Sequence, residues 1–206
     1  MKTLVIDSAT EACSVALFDG GALLAGDYRV LGRGHAELLV PMIAALPGKG
    51  QADRIAVALG PGSFTGLRVG LAAARALALA WGAQLVGYPS LTMVAAMARQ
   101  AAGAQDLAVC MTGGHGEWFV AGYDRAGAEM RPLASLRPDA AAALDLPALV
   151  AGSQAEALVA RRGHGTALPL LPDARCLMLL DDTAFTADVR LLYGRAPDAR
   201  LPAGAA

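Results

Sequence analysis

No lysine follows Lys49 in this chain of 206 residues, and only 17% of its residues are charged. Lys plus Arg number 17 against 18 Asp plus Glu, a formal charge of −1. Without a basic excess, avid nucleic-acid binding by this chain alone is not expected. Cysteine is scarce as well: Cys13, Cys110 and Cys176 are odd in number, far apart and free of CxxC spacing. This argues against a disulfide framework or a zinc site and fits a reducing cytoplasm. An uninterrupted apolar run of roughly 18 residues, the length of a membrane span, is not expected, because Arg75 and many glycines break the candidates. The N-terminus does not read as a signal peptide, since the run Leu4-Val5-Ile6 stops at Asp7. What the chain has in quantity is apolar: 55% hydrophobic residues and a mean hydropathy of +0.45. Abundant apolar surface with little charge points to a protein that buries part of itself against a partner.

The first half alternates. "TLVIDS" (3–8) reads as a buried strand ending in a carboxylate, and "SVALFD" (14–19) and "ALLAGDYRV" (22–30) form a hairpin about Gly20-Gly21. A helix is expected over 34–48, with Pro41 kinking or breaking it. A strand follows at 54–60, a helix at 63–81, a strand at 83–89 and a helix at 90–100 capped by Ser90. This order predicts an α/β layer structure with a mixed sheet. Past residues 101–105 the pattern restarts, with strands at 106–111, 117–124, 129–134 and 148–152 and a helix at 154–162. That reads as a shorter, degenerate second copy, giving two lobes over 1–103 and 104–206. A helix is expected at 181–194 and an extended tail at 195–206.

The segment "GPGSFTGLRVG" (60–70) holds four glycines in eleven positions. A Walker-type loop needs a following Lys-Ser or Lys-Thr, which is missing. Gly60, Gly62 and Gly66 are one residue too widely spaced for a dinucleotide fingerprint, and Ser63 lacks the neighbours of a lipase elbow. The spacing fits a turn better. Gly60-Pro61-Gly62 supplies positive φ on either side of a fixed proline, and Ser63 caps the helix that follows. An anion site on the turn's free N–H groups is the other reading. Gly66, Gly70, Ala73 and Leu77 share one edge, and interior glycines, each costing about 1 kcal/mol, are tolerable where another backbone comes close. Arg68 and Arg75 share a face; otherwise this helix is apolar nearly all round. The helix at 35–46 is similar, since Leu38, Leu39, Val40, Met42, Ile43 and Leu46 cannot all face one sheet. Two helices with surplus apolar surface predict a docking face.

"DSATEACSVAL" (7–17), "GHAELLVPMI" (34–43), "GPGSFTGLRVG" (60–70) and "YGRAPDARLP" (193–202) together resemble the TsaB family, closely over the first hundred residues. The resemblance implies an actin/Hsp70-like ASKHA (ribonuclease H-like) fold with two related lobes, the second reduced. It implies a non-catalytic partner in threonylcarbamoyladenosine modification of tRNA, pairing with a TsaD-type transferase and working with a TsaE-type ATPase, in the cytoplasm and away from membranes. tRNA is then reached indirectly, and homodimers are expected where the partner is absent. The family's contact surface is built from the first two helices, which implies interface roles for Leu38, Leu39, Met42, Ile43, Gly66, Arg68, Gly70, Ala73 and Leu77.

The catalytic relative carries two metal-binding histidines four apart on the first helix. Here His35 is followed at that spacing by Leu39, so no metal is expected, and His35 reads instead as a helix-start residue bonded to nearby backbone. Active ASKHA proteins cradle phosphate in the turn after the first strand. Asp7, Ser8 and Thr10 stand there without the accompanying glycine, which leaves room for weak nucleotide binding but implies no required cofactor. Members usually show Asp-Ala-Arg before "GEVY", whereas this chain has "MTGGHGEWF" (111–119). His115, two residues from Glu117, and His164 read as exposed loop histidines with no metal-ligand partner at helical spacing, and Asp181-Asp182 as a helix start. An ATP-dependent small-molecule kinase and a glycoprotease-like metallopeptidase are the competing readings.

Overall fold

Each half of the chain builds the same five-stranded sheet. The computed structural model describes residues 1–194, so the expected tail at 195–206 and most of "YGRAPDARLP" lie outside the described residues. The first sheet contains β1 (Lys2–Asp7), β2 (Ala12–Asp19), β3 (Ala22–Val30), β4 (Arg54–Ala58) and β5 (Gln84–Tyr88), in the order β3-β2-β1-β4-β5. The second contains β6 (Leu107–Thr112), β7 (Trp118–Tyr123), β8 (Glu129–Leu136), β9 (Leu149–Ala151) and β10 (Thr166–Leu168), in the order β10-β9-β6-β7-β8. In both, three antiparallel strands are followed by a crossover to a strand parallel with the first: β1 with β4, β6 with β9. The mixed sheets are those the strand pattern predicts, and their repetition matches the two-lobe ASKHA-type arrangement that the family resemblance implies.

Among the described residues five α-helices complete the layers: α1 (His35–Ala45), α2 (Phe64–Trp81), α3 (Ser90–Ala102), α4 (Pro138–Ala142) and α5 (Ala155–Arg162). α1 and α2 cover the outer face of the first sheet, where Leu39, Met42, Ile43, Leu71 and Ala74 meet Leu4, Ile6, Ile55 and Val57. α3 is shared between the sheets, giving Met93 to the first core and Leu91, Val94 and Ala98 to the second. α4 and α5 close the far side through Ala141, Ala155 and Leu158. Each large apolar side chain so enclosed contributes about 1.5–3 kcal/mol.

α2 corrects the expectation that no stretch is long enough to span a membrane. Its 18 residues have a mean hydropathy of 1.2, which meets that test by length and composition alone. One third of it is buried in this fold, through Gly66, Leu67, Gly70, Leu71 and Ala74.

Other expectations need correction. Pro41 does not end α1, which continues through it to Ala45: it and Glu37, whose carbonyl loses its usual donor, are both exposed, so that carbonyl is open to solvent. Ser90 does not cap α3. The cap position is Pro89, and the Ser90 hydroxyl is buried with no hydrogen-bond partner among the described residues. The short α4 and β10 carry too little periodicity to be read from sequence.

The largest departure is 181–194, which is not a helix. After a 3-10 turn at Asp182–Ala184 the chain runs extended as a strap across the first sheet. Its backbone groups find partners far away in sequence: Thr186 exchanges both bonds with Gly87, Leu192 N–H donates to Leu59 O, and Arg75 donates to Val189 O. Residues 174–179, another 3-10 turn, pack on β1, β2 and β3, and Ala174 N–H donates to Ser14 Oγ.

Candidate functional site

The glycines of 60–70 are required by the chain's own backbone. A Cβ on Gly66 would lie 2.1 Å from Ser8 O, one on Gly62 2.0 Å from Ala9 O, and one on Gly70 2.3 Å from Ser8 Oγ. The β1–β2 turn therefore lies directly on the start of α2, fixed by Ser63 N–H donating to Ala9 O and Ser8 Oγ–H donating to Gly66 O at 2.8 Å. Of the two turn glycines flanking Pro61, only Gly60 has positive φ, at 99°. Gly62 is needed for closeness instead. Ser63 caps α2 as expected, its Oγ accepting Gly66 N–H at 3.2 Å.

That packing removes two of the three residues expected at a phosphate turn. Asp7 is 1% exposed and Ser8 2%. The Asp7 carboxylate accepts Ala9 N–H at 3.0 Å and the Tyr88 hydroxyl at 3.0 Å, turned away from solvent. Burial raises its pKa from 3.8 to about 6, against the lowering pull of those two bonds. Thr10 reaches the surface of a cleft, and its Oγ1 accepts Ala12 N–H.

The cleft, of about 610 Å³, opens between the lobes. One wall is the β1–β2 turn with Ser63, Phe64 and Arg68 from the start of α2. The other is the atypical "MTGGHGEWF" turn, with Met111, Phe119 and Ser153, and the strap end at Leu192, Tyr193 and Gly194 closes a third side. Sequence reasoning missed this site because its third wall comes from a segment read as helix. His35 behaves as expected, buried at the start of α1 with Nε2 3.3 Å from Ala12 O. His164 is exposed beside Arg162, and His115 is exposed at the cleft. Glu117 accepts from Ser135 Oγ at 2.7 Å. Asp181 caps only the three-residue 3-10 turn, accepting from Thr183, which holds its pKa below the ordinary value.

The nine residues expected at a docking face divide. Leu39, Met42, Ile43, Gly66 and Gly70 are enclosed in the chain's own core, so they cannot touch a partner. Arg68 is exposed at the cleft wall, stacked on Phe64 with its guanidinium carbon 3.5 Å from the ring centroid. Leu38, Ala73 and Leu77 are half-buried. Beside them stand exposed apolar residues outside those nine: Ala36, Val40 and Ala44 on α1, and Ala72, Ala76 and Leu79 on α2, spaced by three and four. Val40 is 58% and Leu79 87% exposed.

A family profile described as TsaD, tRNA N6-adenosine threonylcarbamoyltransferase, matches residues 29–182. The chain belongs to this family. Within it the chain stands with the TsaB proteins. It is 36% identical over 130 residues to the tRNA threonylcarbamoyladenosine biosynthesis protein TsaB of Escherichia coli, covering 61% of this chain and 56% of that one. It is 36% identical over 100 residues to the protein of that name from Haemophilus influenzae, covering 46% and 42%. The chain thus spans about half the length of these curated relatives. The solved YeaZ from Pseudomonas aeruginosa superposes with a TM-score of 0.73 at 30% identity, over 86% of this chain and 88% of that one.

Proposed function

We propose that this TsaB-family chain is the non-catalytic half of a heterodimer in tRNA threonylcarbamoyladenosine biosynthesis, docking a TsaD-type transferase through α1 and α2. The observation that carries the reading is the exposed apolar stripe of Ala36, Val40, Ala44, Ala72, Ala76 and Leu79. Small side chains there allow a partner's helices to approach closely. The names of the curated relatives support the pathway, and the match to a TsaD profile supports a partner built on the same fold. The sealed Asp7 supports a chain without phosphoryl chemistry of its own, since a kinase needs its acid in the cleft. The bonded His35, with Leu39 four residues on, supports the same view for metal chemistry. In this reading a TsaE-type ATPase joins through the complex, and the transferase supplies most of the tRNA contact, because this chain's charge is only −1. The complex works in the reducing cytoplasm, and without its partner this chain pairs with a second copy through the same face.

The test is size-exclusion chromatography with light scattering, on this chain alone and mixed with the TsaD-type protein of the same organism. A one-to-one complex is expected. Two separate peaks at micromolar concentration would overturn the reading.

A further inference from the structure

Arg75 belongs to two parts of the molecule at once. It is exposed on α2, three residues after Ala72 and four before Leu79, and so shares a helical face with both. Its Nη2–H donates to Val189 O of the strap at 3.1 Å. Among the described residues this is the one hydrogen bond from 187–191 to the rest of the chain, because Asp188 N–H turns back to Thr186 Oγ1 and Arg190 pairs with Asp188.

The strap is otherwise tied at its ends. Thr186 exchanges bonds with Gly87 at 2.8 and 3.0 Å, and Leu192 N–H donates to Leu59 O at 2.8 Å. Past Leu192 the chain reaches the other lobe: a Cβ on Gly194 would stand 2.4 Å from a ring carbon of Phe119. Apart from apolar packing by Val189 and Leu191, the middle of the strap therefore hangs on one side chain of the docking face. That bond uses one of the five N–H donors of a guanidinium. A partner covering Ala72, Ala76 and Leu79 takes Arg75 out of water too, and a buried cation needs an anion beside it. Two parallel bonds to a carboxylate outweigh one to a neutral carbonyl.

We propose that Arg75 is a relay: a carboxylate of the protein docked on α2 draws the guanidinium off Val189 and loosens the strap as far as Leu192 and the lobe contact at Gly194. The partner's role rests on the docking reading above, but the relay lies within this chain and can be tripped without a partner. The experiment is amide hydrogen exchange of the full chain, read at Leu192, in the parent, Arg75→Ala, Ala72→Glu and Ala72→Gln. Ala72→Glu sets a carboxylate three positions before Arg75, a spacing at which helical ion pairs form, and Ala72→Gln is its uncharged control. Exchange at Leu192 should quicken about threefold to fivefold in Arg75→Ala and in Ala72→Glu, the scale of one exposed hydrogen bond. Ala72→Gln should keep the parent rate, and the parent bound to the TsaD-type protein should show the same acceleration. An unchanged rate in Arg75→Ala, equal rates in Ala72→Glu and Ala72→Gln, or a complex in which Leu192 exchanges no faster would each overturn the relay. If light scattering shows no complex, the docking face alone fails, and the comparison of Ala72→Glu with Ala72→Gln still decides the relay.

Discussion

The two lobes share one strand order, yet α1 and α2 run to 11 and 18 residues where α4 and α5 have 5 and 8. The short pair closes on itself: Arg161 of α5 pairs with Asp139 of α4, and α5 ends in Arg161-Arg162. The long pair covers its sheet with one side and leaves alanine, valine and leucine exposed on the other. The second lobe's parallel strands β9 and β10 have only 3 residues each, against 5 in β4 and β5, and a shorter cover suffices there. The extra length and apolarity of the first lobe are what the proposed docking face would use.

The sharpest way to break that contrast is at Gly66, where the first lobe's turn and helix touch. Gly66→Ala sets a methyl group 2.1 Å from Ser8 O, a backbone clash that no rotamer change relieves. A loss of about 3 kcal/mol or more is expected, lowering the melting temperature by roughly 6–12 °C in calorimetry. This revises what the sequence implies: a bulky residue at Gly66 damages the fold before it touches any partner.

Asp7 sharpens the contrast by pH. The equivalent strand end in the second lobe is Thr112, which does not titrate. A carboxyl whose pKa rises from 3.8 to about 6 on folding holds its proton more tightly in the native state. Its contribution is therefore greatest at low pH and declines as pH rises through about 4 to 6, by about 3 kcal/mol at most. Asp7→Asn should flatten that part of the stability profile in denaturant titrations and leave the chain at least as stable at pH 7. A profile in the variant that still falls across this window would show that another group is responsible.

Ser90, at the junction of the lobes, should give the smallest effect. Its hydroxyl is buried without a partner among the described residues, so Ser90→Ala is expected to stabilise by about 1 kcal/mol. A destabilised variant would mean that the hydroxyl is satisfied.

How far the sequence reveals this architecture depends on where each segment finds its partners. β1 to β5 and α1 to α3 carry their own periodicity, and turns such as Gly20-Gly21 and the Ser63 cap are local chemistry. Those elements were legible. The strap at 185–194 was not, because its hydrogen bonds go to Leu59, Arg75 and Gly87, and its apolar residues pack on a sheet formed more than a hundred positions earlier. Composition alone made "ADVRLLYG" look helical. The candidate site suffered likewise: Asp7 and Ser8 stand where a phosphate turn would have them, but the glycines of α2 draw that turn inward. The same close packing explains those glycines without an outside backbone.

The most direct test of the docking face is Val40→Asp combined with Leu79→Glu, mixed with the TsaD-type protein and followed by light scattering. Both side chains are more than half exposed, so the melting temperature should stay within about 1–2 °C of the parent. The account predicts that the one-to-one complex is lost while the fold is kept. Undiminished pairing by a well-folded double variant would contradict it.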